Sequence, residues 1–169
     1  MRIDNGGNVF VKTVSAPSSS NAGTMISDTG SGSFSSFSGT TSASTHAIFG
    51  NTNGAVGTIQ TTNSTTAYNT SSDYRLKENV NYNWDATTRL KQLKPARFNF
   101  IADDTNTLVD GFLAHEVSSV VPEAISGTKD EVDDDGNPVM QGIDQSKLVP
   151  LLVKTIIELE ARIATLEAK

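Results

Sequence analysis

The sequence has no cysteine, which removes disulfides and thiolate chemistry from consideration. It has one Trp and five Pro, and 36% of its residues are hydrophobic. That share is thin for one well-packed globule, where nearly half the residues are usually apolar. No apolar run approaches the ~20 residues that a membrane-spanning helix needs, and the N-terminus lacks the charged-then-apolar pattern of a signal peptide. Charge is also missing, but only from one part of the chain. Between Thr13 and Ser72 the single charged side chain is Asp28. A pI near 4.8 argues against a nucleic-acid grip, which needs clustered Lys and Arg. The mild acidity reads as solubility.

What is present divides in two. The 169 residues have the length of about one ordinary domain, yet they hold two compositions. Up to about residue 70 the chain is Ser, Thr, Gly, Asn and Ala with scattered Phe, Ile and Val. From Asp73 onward it carries 17 acids and 11 bases, so the whole net charge of −6 lies in the second part. Residues 8–14 read as a short strand. Residues 15–45 are low-complexity and, as a monomer, cannot bury enough apolar area to offset their ordering entropy. Two outcomes are open for them: disorder, or a fibrous β-structure in which several chains share a narrow core. Residues 46–70 favour the second. They hold three β-prone pieces separated by Asn-Thr-Asn-Gly and Thr-Asn-Ser-Thr turns, with Ile48, Phe49, Val56 and Ile59 available for a thin axial core.

Beyond the boundary, Asp85 caps a predicted helix running to about Leu93, which Pro95 ends. Ala96–Ile101 alternates as a strand with Phe98 and Phe100 inward. A second helix is expected over Phe112–Val121, stopped by Pro122, and a hairpin around Asp135-Gly136. The acidic run Asp133–Asp135 is a solvated hairpin tip, because the twelve-residue calcium pattern would need a bidentate Glu where Gly142 stands. No metal site and no cofactor are expected. His46, alone in a low-complexity strand, is not expected to be a ligand.

A final helix over about residues 145–168 carries the strongest periodicity. Val149, Ile156 and Ile163 fall at position a of a heptad, and Leu152, Leu159 and Leu166 at d. Arg162 at g and Glu167 at the following e can pair between chains. A lone amphipathic helix needs a partner for such a seam. That partner is either the rest of its own domain or another copy, and the continuous terminal seam favours the copy. Ile at a with Leu at d leans toward two strands.

The candidate chemistry sits at the composition boundary, in Ser71-Ser72-Asp73-Tyr74-Arg75-Leu76-Lys77-Glu78-Asn79. A serine hydroxyl is a poor nucleophile until a base takes its proton, and a lysine whose pKa is lowered by burial or neighbouring cations can be that base. By spacing alone, such a Ser and Lys are no more than a solvated turn.

The motif Ser-Asp-Tyr-Arg-Leu-Lys-Glu-Asn-Val at 72–80 is similar to the opening of the peptidase S74 family, the endosialidase-type chaperone domain of phage tail fibres and tailspikes. Residues 110–124, Asp-Gly-Phe-Leu-Ala-His-Glu-Val-Ser-Ser-Val-Val-Pro-Glu-Ala, resemble a second family block, with His115 where Gln is common. The heptads of 147–166 resemble its closing helix. The resemblance covers about 72–169 and none of 1–70.

The resemblance implies an α+β chain. Residues 1–71 would be the end of a β-rich fibrous stalk, an intertwined trimeric β-structure. Residues 72–169 would be a mixed α/β intramolecular chaperone ending in a coiled-coil helix. It implies a homotrimer that folds the stalk and then cuts itself at Ser71–Ser72, with Ser72 as nucleophile and Lys77 as general base. Asp73, Arg75, Glu78, His115 and Glu116 are possible supporting residues. It places the protein in a virion tail fibre, with the released fragment left in the host cytoplasm. Any host-receptor contact falls to the stalk or the upstream fibre, with no nucleic acid and no membrane span. The alternative is a trimerisation domain of a tail fibre or adhesin that never cuts.

Overall fold

The structure is a computed structural model, and it describes residues 2–3, 9–11, 23–27 and 33–169. It contains both strands and helices, an α+β chain. Two compact units divide between Val80 and Asn81.

Among its described residues the first unit holds strands and one short 3-10 turn. Strands β1 (Arg2–Ile3), β2 (Val9–Val11), β3 (Gly23–Ser27) and β4 (Ser33–Phe37) form an antiparallel sheet in chain order. Residues 23–27, 33–37 and 44–45 of the low-complexity stretch are therefore paired strand, residues 38–43 form a bend between strands, and the rest lie outside the described residues. Strands β5 (Ser44–Asn51), β6 (Gly54–Thr62) and β7 (Thr65–Thr70) form a second antiparallel sheet. Its turns come where the Asn-Gly and Asn-Ser clusters stand. Gly54 has φ +95° and Asn63 φ +51°, the left-handed conformations that hairpin turns require and that Gly and Asn adopt most easily. Among the residues up to Val80 whose exposure the structure describes, none is buried. Ile48 and Phe49 are exposed, and Val56 and Ile59 are half-buried.

The second unit holds all the buried apolar side chains among the described residues. Its elements are α1 (Ala86–Leu90), β8 (Ala96–Phe98), β9 (Val109–Gly111), α2 (Ala114–Val117), β10 (Ile125–Ser126), β11 (Gly142–Ile143) and α3 (Val149–Glu167). β8 pairs with β9 and β10 with β11, both antiparallel. The core is Ala86, Val117, Val120, Val121, Ala124, Leu148 and Leu151, with Trp84, Leu90, Leu93, Phe112, Ile125 and Ile143 packed around it. Asp85 caps α1 by accepting from Thr88 N–H at 3.0 Å. A 3-10 turn over Gln145–Leu148, capped by Asp144, leads into α3, and Pro150 sits in its first turn where no N–H is needed.

Three expectations change. The first helix ends at Leu90, with the chain closing through turns to Leu93. The second spans only Ala114–Val117, because Ser118-Ser119 and β-branched Val120-Val121 are weak helix formers and Pro122 starts a 3-10 turn. The strand at 96 stops at Phe98. Phe100 is therefore not inward but exposed, in an edge-to-face contact with Phe98 at 5.5 Å between ring centres. The hairpin at 131–140 forms. Asp133 Oδ1 accepts from the N–H groups of Asp135 (2.9 Å) and Asn137 (2.8 Å), and Gly136 takes φ +81°. The acidic tip thus spends a carboxylate on its own turn.

Candidate functional site

The segment 71–79 lies in the first unit and is exposed throughout. It begins where the β5–β7 sheet ends. Ser71 is held to that sheet, donating its N–H to the Val56 carbonyl at 3.0 Å and its hydroxyl to the Ala55 carbonyl at 3.3 Å. Ser72 is the first residue past this anchor.

A single 3-10 turn, Tyr74–Leu76, then reverses the chain. Asp73 builds it. Its Oδ1 accepts from the Arg75 N–H at 2.8 Å, capping the turn. The Arg75 guanidinium closes a fork on the same carboxylate, Nε to Oδ1 at 2.9 Å and Nη2 to Oδ2 at 2.8 Å. The guanidinium bonds, with the backbone bond behind them, hold the Asp73 carboxyl below the usual range, and the same pairing raises Arg75. Lys77 N–H donates to the Tyr74 carbonyl at 3.1 Å, and Asn79 with φ +53° turns the chain again.

The outcome of this turn is one contact. Lys77 Nζ reaches back to donate to Ser72 Oγ at 2.8 Å and to the Ser72 carbonyl at 3.1 Å. A spacing of five is what one short turn needs to return an amine to the hydroxyl that precedes it. The distance lies within the reach of proton transfer between a nucleophile and its base. Both side chains are exposed.

The remaining candidates separate. Asp73 and Arg75 build the turn. Glu78 is exposed and has no bonded partner among the described residues. His115 and Glu116 belong to α2 in the second unit, where Glu116 Oε1 accepts from Lys94 Nζ at 3.1 Å. Val117, Val120, Val121 and Ala124 of the same stretch build the core. That stretch is therefore largely a packing motif.

Residues 72–126 match the peptidase S74 family model, the chaperone of endosialidase. The peptidase S74 match opens on Ser72 itself and closes at Ser126, the end of β10. It takes in both the Ser72–Lys77 contact and the α2 stretch, and over those residues it bears out the resemblance read from the sequence, while the closing helix lies beyond it. It supports a chaperone role for this part of the chain, and the family's name carries a peptidase activity. No curated protein matches the chain.

Two residues of the peptidase S74 segment gave no motif signal. Arg89 donates through Nε to the Val120 carbonyl at 2.7 Å and through Nη2 to Glu123 at 3.1 Å, tying α1 to the turn after α2. Thr87 gives its N–H (2.8 Å) and its hydroxyl (2.6 Å) to Glu158 of α3. Among the described residues no group of three or more His, Asp or Glu is placed to hold a metal, and no helix is long and apolar enough to cross a membrane.

Proposed function

We propose that residues 72–169 are an intramolecular chaperone that brings three copies of a tail-fibre or tailspike stalk into register and then releases itself by cutting Ser71–Ser72. The observation that carries this reading is the 2.8 Å approach of Lys77 Nζ to Ser72 Oγ, at the residue where the family match opens.

In the reaction, the neutral Lys77 amine takes the Ser72 hydroxyl proton while Oγ attacks the Ser71 carbonyl carbon. The tetrahedral adduct collapses as the C–N bond breaks, and Lys77 returns its proton to the departing Ser72 nitrogen. The Ser71 acyl group is then an ester on Ser72 Oγ. Water adds to that ester, giving a Ser71 carboxylate and a free Ser72 hydroxyl with a new α-amine. Each chain cuts once. The docking of Ser71 on β6 supports this, because it fixes the acyl side of the bond while Lys77 holds the Ser72 hydroxyl beside it.

A lysine acts as a base only in its neutral form, which cover from water favours. A neighbouring copy supplies that cover, which makes cutting follow assembly. Two features support self-association. The seam residues Val149, Leu152, Ile156, Leu159, Ile163 and Leu166 are all unburied. The first two continue into an open apolar groove of about 630 Å³ lined by Leu90, Leu93 and Phe112.

The test is mass spectrometry of the purified chain. The expected products end at Ser71 and begin at Ser72. Ser72→Ala, Lys77→Ala and Lys77→Arg remain whole, the last because a guanidinium does not give up its proton, and all three still assemble on native mass measurement. An intact wild-type chain in an assembled trimer would leave the non-cutting trimerisation domain as the function.

A further inference from the structure

The first unit holds a second arrangement of polar groups, away from the turn that carries Ser72. The His46 ring on β5 is bonded at both nitrogens, Nδ1 to Ser36 Oγ at 2.9 Å and Nε2 to Thr61 Oγ1 at 2.8 Å. These three side chains line an open cleft of about 620 Å³ beside the loop from Ser38 to Thr41. The loop is tied down at its Thr40–Thr41 end. Ser42 N–H donates to Thr40 Oγ1 at 3.1 Å, and Asn63 N–H donates to the Thr41 carbonyl at 2.8 Å.

A neutral imidazole has one N–H and one lone pair. One of the two flanking hydroxyls therefore accepts from the ring and keeps its own proton free. The other donates to the ring and keeps its lone pairs free. Whichever tautomer is present, the row of hydroxyl, imidazole and hydroxyl offers one spare donor at one end and spare acceptors at the other. Adjacent hydroxyls on a ligand, each both donor and acceptor, complement that row.

Among the described residues the cleft has no Asp, Glu, Lys or Arg in its lining. A phosphate or carboxylate entering it would give up water with no cation to replace it. Phe37, 42% exposed, also lines the cleft and offers an apolar ring to the C–H face of a flat ligand. We propose that the Ser36–His46–Thr61 cleft binds an uncharged saccharide, with a vicinal diol on the hydroxyl row and the sugar ring against Phe37. The lining residues all precede Ser71, so the site is the same in a cut or an uncut chain, and it does not rest on the chemistry at Ser72.

The test is saturation-transfer NMR and calorimetry on the unaltered full chain, with lactose, maltose and N,N′-diacetylchitobiose as neutral probes and glucuronate and glucose 6-phosphate as charged ones. At least one neutral probe is expected to bind saturably and the charged ones not to. Thr61→Val, which keeps the β-branched shape, and Phe37→Ala are each expected to weaken that binding about tenfold, the scale of one hydrogen bond or one stacked face. Absence of saturable binding by every neutral probe overturns the proposal. So does stronger binding of the charged probes, or binding unchanged in both variants. In the first of those outcomes the cleft is a junction between stalk chains.

Discussion

Thr155 is 3% exposed, and its hydroxyl has no hydrogen-bond partner among the described residues. A buried hydroxyl left unpaired carries its full desolvation cost. Thr155→Val keeps the shape and removes the hydroxyl. It is expected to stabilise the second unit by about 1 kcal/mol in urea unfolding; a destabilised variant would mean the hydroxyl is satisfied in solution. Glu158, one turn along, is the opposite case. Its carboxylate accepts from the Thr87 hydroxyl and from the N–H groups of Thr87 and Ala86, so it covers the N-terminus of α1, where negative charge is favoured. Those bonds, the Thr87 hydroxyl first, hold its pKa below the ordinary glutamate range against a small opposing desolvation. A lowered pKa contributes stability that is fully present above the unfolded value, about 4.3, and is lost as pH falls through the folded value. Thermal melts below about pH 4.3 should therefore fall less steeply for Glu158→Gln than for wild type. Neither residue was legible in the sequence, since a Thr and a Glu between heptad positions look like solvent-facing residues. Only the position of α1 gives them partners. The Ser72–Lys77 contact was legible because one short turn, with its Asp cap written beside it, makes it locally.

At the scale of the element, α3 carries two apolar faces with different uses. Leu148, in the turn before it, and Leu151 pack into the core, and Thr155 and Glu158 continue that face. The heptad seam lies on other faces, with Ile156 58% exposed. Periodicity identified the seam but not the inner face. Leu151 stands one residue before a d position, and the pattern alone assigns it no partner. The two faces predict different phenotypes. Leu151→Ala should cost the second unit about 2–5 kcal/mol by leaving a cavity, read in urea unfolding. Ile156→Asp should leave its far-UV circular dichroism unchanged and abolish self-association in light scattering. Unfolding of the second unit by Ile156→Asp would show that the seam is part of its own core. Local pattern also overestimated α1 and α2. In both, the apolar spacing extends past the point where the backbone leaves the helix, since Leu93, Val120 and Val121 reach the core from turns.

At the scale of the whole molecule, the described buried side chains all lie in one of the two units. Residues 81–169 contain the entire described core, and among the residues up to Val80 whose exposure the structure describes none is buried. Composition had separated the two parts by charge. It could not say that β3 and β4 pair, because hairpin pairing in a Ser/Thr chain leaves little hydrophobic signal. A fragment of residues 72–169 is expected to show a cooperative thermal transition. Residues 1–71 made alone should show none at low concentration, since a Ser/Thr/Gly-rich chain with few apolar residues cannot offset its ordering entropy. A cooperative, concentration-independent transition in the short fragment would reverse that assignment. Under the proposed function, the exposed segment at 71–80 is more than the place of a bond. In a chain without cysteine it would be the tether that keeps each guide beside its own stalk, and a short tether holds its ends at an effective concentration of about millimolar. Cutting it would drop that value to whatever the surrounding solution contains. The guide would then leave by dilution, with no need for its grip on the stalk to weaken.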